Sequence, residues 1–262
     1  MDGYRNTVIN DLGLLGFVND VVYYDSVDST NTLISGLARG GAGEWTVVVA
    51  DSQSEGRGRQ GRVWHSPPGV NIYTSFMVKP DISYKHVPAM SLLAGMVVAT
   101  LVEQCTGMPA EIKWPNDILV KGRKVSGILL DLLSDDHSGN CVVVGIGINV
   151  NADASVYPGS LAETSTSLLL LTGRTFDRAE MLVSLYSLFY KWYKVYAGHP
   201  GFDGIREQFM QRFRMIGEHV RIMSGPETLV GVVEGIDEYG GLVVMDPDKR
   251  MVTVKSGDVH LL

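Results

Sequence analysis

Apolar and polar residues follow two different rhythms along the chain. Through 1–216, helix-like and strand-like patterns are interleaved; over 217–262 only short strand patterns occur. Residues 4–17 carry a weak helical repeat, and V-V-Y-Y at 21–24 reads as a strand. D-S-T-N at 28–31 offers capping side chains for a helix over 30–39, which Gly40 and Gly41 end. The runs at 44–50 and 71–78 are dense in β-branched and aromatic residues, which suit a pleated surface. Between 86 and 106, Val87, Met90, Leu93, Met96, Val97 and Leu101 recur at helical spacing and predict a buried helix. I-L-V, K-G-R-K and V-S-G-I-L-L-D-L-L, together 118–133, predict a hairpin with a basic turn. C-V-V-V-G-I-G-I-N-V at 141–150 predicts a central strand interrupted twice by glycine, and helices resume at 177–197 and 202–214.

Strands in the first part follow one another without a helix between each pair. That order predicts an α+β fold with a mixed, largely antiparallel sheet flanked by helices, and speaks against a doubly wound parallel sheet. From 217 the short strands, separated by Gly, Pro and Asp, predict a small C-terminal all-β, barrel-like domain. The expected division is 1–216 and 217–262.

Charge narrows the function. With 22 basic and 29 acidic side chains the net charge is −7, which argues against a protein that coats nucleic acid and leaves room only for a local basic patch. The two cysteines, Cys105 and Cys141, lie in apolar stretches and form neither a metal spacing nor a disulfide framework, as suits a reducing cytosol. The N-terminus has no signal-peptide core, and the most apolar run, 91–102, is too short to cross a bilayer. A cytoplasmic protein with no membrane partner is expected. The histidines at 65, 86, 137, 199, 219 and 260 show no metal spacing.

G-R-G-R-Q-G-R at 56–62 satisfies the spacing of a dinucleotide-binding turn. Such a turn must open a helix whose N-terminus receives the pyrophosphate. Here V-W-H-S-P-P-G follows, and its prolines stop any helix. Without the helix, the position of Asp81 means little, and no phosphate-binding P-loop occurs elsewhere. The loop instead offers glycine flexibility and three guanidinium forks, which bind carboxylate and phosphate. Taken alone it fits a solvated basic surface equally well. E-I-K-W-P-N-D at 111–117 then gathers a cation, an amide and a carboxylate around a proline, with Lys124 shortly after. In isolation these fit a turn and an exposed lysine. G-I-G-I-N at 145–149 marks either a close approach to the strand or a simple kink.

In this order, D-S-T-N at 28–31, G-R-G-R-Q-G-R at 56–62 with Trp64, K-W-P-N-D at 113–117, R-K-V-S-G-I-L at 123–129 and G-I-G-I-N at 145–149 resemble the biotin protein ligases. The β module resembles that family's C-terminal domain, so the resemblance spans nearly the entire chain. It implies the class II synthetase-like biotin/lipoate ligase fold and a two-step reaction. Biotin and ATP give biotinyl-5′-AMP; a lysine of a biotin carboxyl carrier domain then takes the biotin. Magnesium is expected with the ATP.

By the same resemblance, Ser29, Thr30, Asn31 and Gln53 contact biotin's ureido ring. Gly56, Arg57, Gly58 and Arg59 wrap its carboxylate and the phosphate, and Gly127 lets the backbone approach. Lys124 lies between carboxylate and α-phosphate as the principal electrostatic catalyst, with Arg59 and Asp117 as the other catalytic candidates. Asp117 either positions magnesium or helps deprotonate the acceptor lysine; no other metal ligand is indicated. Arg62, Asn116 and Asn149 contact ATP, Lys113 either contacts its phosphate or orders its own loop, and Trp64 either stacks near adenine or belongs to the core. The stretch before Asp28 is too short for the N-terminal DNA-binding domain of some relatives, so a ligase without repressor function is expected, with homodimerisation through the main sheet an implication. The rival readings are a lipoate or octanoate ligase or transferase on the related fold, and a non-catalytic biotin sensor.

Overall fold

A computed structural model describes residues 2–135 and 139–262; His137 lies outside them. Helix α1 (Asp2–Gly13) leads into strand β1 (Asp20–Val27), α2 (Thr30–Arg39), β2 (Thr46–Gln53) and β3 (Ile72–Val78). The long α3 (Val87–Thr106) precedes four strands, β4 (Glu111–Lys113), β5 (Asp117–Val120), β6 (Arg123–Asp135) and β7 (Gly139–Ile148). Two short helices, α4 (Leu161–Thr164) and α5 (Leu168–Thr172), then α6 (Arg178–Gly198) and α7 (Arg206–Met210), complete the first part. The last part is β8 (His219–Ser224), β9 (Glu227–Ile236), β10 (Leu242–Met245), β11 (Met251–Val254) and β12 (Asp258–Leu261).

Among the described residues the main sheet has seven strands in the order β1-β2-β3-β7-β6-β5-β4. Only β1 and β2 are parallel, with α2 as their crossover; the other neighbours are antiparallel. Strand β7 is central because both its faces are covered. Val142, Val144 and Ile146 turn into the large core beneath α3 and α6. Cys141 and Val143 turn to the other face, where they pack with Ile34 of α2, Val48 and Met77. An uninterrupted apolar run is what a strand buried on both sides requires.

Two local devices aim the next strands. The β5–β6 hairpin turns on Lys121 and Gly122, both at positive φ (52° and 73°), as a two-residue turn that matches strand twist demands. Immediately after it, Leu119 pairs with Lys124 but Ile118 with Ser126, so Val125 is an extra residue in β6. This bulge sends Val125 fully into the core while Lys124 swings to the opposite face beside Gly127.

The expected helix over 202–214 is only α7. Gly201 at φ 114° and Gly204 break its start, and Phe202, Phe209 and Phe213 anchor an irregular segment to the core instead. The stretch Tyr84–Thr106 is long and apolar enough to cross a membrane, which the shorter run at 91–102 alone had not suggested; 72% of its most apolar window is buried inside the protein, where it serves as the central core helix. The C-terminal strands form an antiparallel sheet in the order β11-β10-β9-β8-β12. Its apolar face is continuous with the large core through Val220, Ile222, Val233 and Leu242. Trp114 clamps the two parts together: its indole is 1% exposed and Nε1 donates to Gly240 O at 2.9 Å.

Candidate active site

The face of the sheet carrying α2 becomes a cavity at the start of α2, because β7 there presents glycines. In cross-strand register, Ser75, Gly145 and Leu129 form one row; Tyr73, Gly147, Gly127 and Asp117 form the next. The missing side chains admit others from above. A Cβ on Gly145 would stand 1.8 Å from Asn31 Oδ1, and one on Gly147 2.6 Å from the Trp64 indole. The cavity holds about 230 Å³.

One end of it is a buried polar chain. Ser29 is the N-cap residue of α2, yet its side chain makes no capping bond. The helix start is satisfied by Gln53, whose Oε1 accepts from Thr30 N at 2.9 Å and from Thr30 Oγ1 at 3.2 Å. Gln53 Nε2 donates to Ser66 Oγ at 2.9 Å, and Ser66 Oγ donates to Trp64 O, also at 2.9 Å. Deeper, Ser75 Oγ lies 2.7 Å from Thr30 Oγ1 and 2.6 Å from Asn31 Oδ1. Ser29, Thr30, Asn31 and Ser75 are all buried. Desolvated polar groups held this firmly suit recognition of a small polar ring rather than of bulk solvent.

The other end is cationic. Lys124 Nζ pairs with Asp117 Oδ1 at 2.6 Å and stands 5.2 Å from the Trp64 ring centroid. The arginine loop closes over it as a narrow hairpin, with Gly58 N donating to Arg62 O, Trp64 N donating to Gly56 O, and Gln60 and Gly61 at positive φ in its tip. Arg59 Nη1 donates to Asn116 Oδ1 at 3.3 Å and to Gly257 O at 3.4 Å. Burial lowers the Arg59 pKa from its ordinary value, against the opposing pull of Asp258 and Asp117. Arg57 Nη1 reaches Asp131 Oδ2 at 3.6 Å with half of its side chain exposed. Arg62, at the cavity's rim, pairs with Asp258 Oδ1 at 2.5 Å on the C-terminal sheet.

The cavity therefore gathers most of the residues expected from the sequence: Ser29, Thr30, Asn31, Gln53, Arg57, Gly58, Arg59, Arg62, Trp64, Asn116, Asp117, Lys124, Gly127 and Asn149. Gly56 and Lys113 stand outside its lining. Gly56 lines an outer groove behind the loop, where its lack of a side chain lets the chain at 64–66 come close: a Cβ would be 2.3 Å from Trp64 O. Lys113 lies on β4 opposite Asp117, at the sheet's edge. Trp64 is more than core filling, since its buried Nε1 has no partner and the ring lies over Gly147 and Gly127. Asn149 binds Thr166 O and is 4% exposed.

Sequence reasoning missed Ser66, Ser75 and Asp131, and the segment that brings Tyr157, Leu161 and Ser165 to the cavity wall. Ser75 left a legible trace: it is a hydroxyl inside an apolar strand, two residues from Tyr73 on one face. That segment left none. His65, given no role, lines the cavity and bonds Val156 O at 2.9 Å.

Two family matches agree with this geometry. The Biotin/lipoate A/B protein ligase family matches residues 23–149, and the Biotin protein ligase C terminal domain matches 215–262. A relative from Bacillus subtilis, "Bifunctional ligase/repressor BirA", is 35% identical over 241 residues, covering 92% of this chain and 74% of that protein.

The chain belongs to the biotin protein ligase family.

Another family relative, the "Biotin--[acetyl-CoA-carboxylase] ligase" of Paracoccus denitrificans, is 35% identical over 231 residues, covering 86% of this chain and 94% of its own. Among solved structures, the biotin protein ligase from Aquifex aeolicus in complex with biotin and ATP superposes with a TM-score of 0.79 at 30% identity, covering 93% of this chain and 99% of that one. The family's α+β sheet and its C-terminal β-sheet domain are both present here.

Proposed function

We propose that this chain activates biotin with ATP to biotinyl-5′-AMP and passes the biotin to a lysine of a biotin carboxyl carrier domain. The observation that carries the reading is the polarity of a single cavity: a buried neutral polar cluster at one end and Lys124 with Arg59 at the other. Biotin has that same layout, a cyclic urea at one end and a carboxylate at the other. In this reading Ser29, Thr30, Asn31 and Gln53 face the urea, and Gly127 and Gly147 leave room for the body of the ligand. Arg57, Arg59 and Lys124 bring carboxylate and α-phosphate together against their mutual repulsion.

The first step forms a bond from a carboxylate oxygen to the α-phosphorus and expels pyrophosphate. Lys124 neutralises charge as it builds on the phosphoryl oxygens. Asp117 holds the ammonium in place at 2.6 Å until the anions arrive. In the second step the acceptor amine attacks the acyl carbon, AMP leaves, and the amine loses a proton. Closure of the 54–64 loop over the anhydride excludes water from it.

Trp64, Arg62, Asn116 and Asn149 form the nucleotide side of the proposal. Lys113, outside the cavity, orders its own strand. Asp117 is the one carboxylate lining the cavity among the described residues, and these contain no cluster of three or more metal-ligating side chains. This donor set fits a magnesium ion carried in by the triphosphate, which neutralises phosphate charge, rather than a resident ion. Membership of the family also implies the cytoplasm, where ATP is available, and a homodimer, whose check is the mass in solution by sedimentation.

Biotin-dependent exchange of pyrophosphate into ATP tests the reading. Exchange with biotin and none with lipoate is expected. Biotin binding without exchange would leave a sensor, and exchange with lipoate alone would move the chain to the lipoate side of the family.

A further inference from the structure

One carboxylate oxygen joins the two ends of the cavity. Asp131 projects from β6 on the same face as Leu129, beyond the cavity wall, and its Oδ2 has two partners. Asn31 Nδ2 donates to it at 3.1 Å, and Arg57 Nη1 stands 3.6 Å away. The second hydrogen of the Asn31 amide points to Leu129 O at 3.4 Å. A carboxylate and a carbonyl can only accept, so the end of the amide facing them must be NH₂. Asn31 Oδ1 is then held toward Ser75 and the cavity, as an acceptor.

We propose that Asp131 is a positioning residue that sets the Asn31 amide through one contact and tethers Arg57 of the arginine loop through the other. The inference rests on the biotin-and-ATP reading of the cavity. On that reading Asp131 touches neither substrate, yet it orients a group that reads the urea and a cation that guards the acyl phosphate.

The two contacts respond to different substitutions. Asp131→Asn keeps an oxygen that can accept from Asn31 but abolishes the charge that holds Arg57. Asp131→Ala removes both. A role confined to folding would shift both contacts together in either variant.

The experiment uses the full chain as wild type, Asp131→Asn, Asp131→Ala, Arg57→Gln and the Asp131→Asn/Arg57→Gln double variant. Melting temperature is recorded for each. Hydrogen exchange of the 54–64 amides without ligand reads the tether, calorimetry with biotin reads the amide, and release of preformed biotinyl-5′-AMP reads their joint effect. Asp131→Asn should speed exchange and release about threefold, the scale of a half-exposed ion pair. It should leave the biotin Kd within about twofold, since the hydrogen bond survives. In ligand-free loop exchange Arg57→Gln should match it, and the double variant should exchange no faster than either single one. Asp131→Ala should in addition weaken biotin about tenfold, the scale of a lost bond to a charged group.

Loop exchange in Asp131→Asn equal to wild type, additive loop exchange in the double variant, or wild-type biotin affinity in Asp131→Ala would each overturn the proposal. If Asp131→Ala fails to fold, Asp131→Asn and the double variant still decide. The exchange arm needs no ligand and judges the tether alone. Failure of the wild type to bind biotin or exchange pyrophosphate would instead sink the functional reading.

Discussion

Gly145→Ala adds one methyl group where the cavity has no room for it. The new Cβ would lie 1.8 Å from Asn31 Oδ1 and 2.7 Å from its Cγ, so the amide must leave. Asn31 is 4% exposed and has no solvent route that keeps its bonds. Leaving forfeits the contacts with Ser75 at 2.6 Å, Asp131 at 3.1 Å and Leu129 at 3.4 Å, the last already long. Two good bonds and one weak one amount to about 2–3 kcal/mol. An alanine in a strand interior returns about 0.5–1 kcal/mol over glycine. The net loss of stability is then about 1–2 kcal/mol, a fall of a few degrees in melting temperature for a chain of this size. Biotin loses more, because nothing offsets the misplaced amide: about 2–3 kcal/mol, or roughly 30- to 150-fold in Kd. Calorimetric titration with biotin and a thermal scan on one preparation measure both. Gly235→Ala is the control, since nothing lies within 4 Å of a Cβ there. A Gly145→Ala protein that binds biotin within about threefold of wild type would refute the placement of Asn31 in the biotin site.

Lys124→Met should fold, since the pair with Asp117 is partly exposed, but pyrophosphate exchange should fall about 10²- to 10³-fold in kcat, with a smaller change in biotin KM; near-normal kcat would remove Lys124 from the chemistry. Arg59→Gly should release biotinyl-5′-AMP early, and blotting with labelled avidin should then detect biotin on lysines of unrelated proteins; unchanged labelling counts against the retention role. Trp114→Phe leaves Gly240 O without its 2.9 Å donor in the buried seam and should cost about 1–3 kcal/mol, read from urea denaturation. The 54–64 loop should become more resistant to limited proteolysis once biotinyl-5′-AMP is bound, and Asp258→Ala, which frees Arg62, should raise its cleavage in the unliganded protein; equal cleavage in all cases would refute its closure over the adenylate.

What the sequence alone determined was local. The apolar run at 141–150 required a strand covered on both faces, and β7 is the centre of the sheet. The polar residues at 28–31 marked the start of α2, although the distant Gln53 rather than a capping side chain satisfies it, and the prolines after Trp64 excluded a nucleotide-binding helix. The chemical types at the site were legible too, because a reaction between two anions demands cations whatever the fold. Tertiary structure decided which of those cations face the cavity. Lys113 stands outside its lining on β4, while Arg59 and Arg62 both line it, Arg62 held by Asp258 from 196 positions away. Lys124 reaches the site face through a bulge that alternation cannot foresee, and Gly56 serves the packing of its own loop. Ser75 and Asp131 join the site through cross-strand register. Helix 202–214 shrank to α7 because aromatic anchoring outweighed its apolar repeat. The reason is the same throughout: backbone preference and side-chain type act over a few residues, whereas the partner of a charge or a buried amide is supplied by whichever distant strand the packing brings beside it.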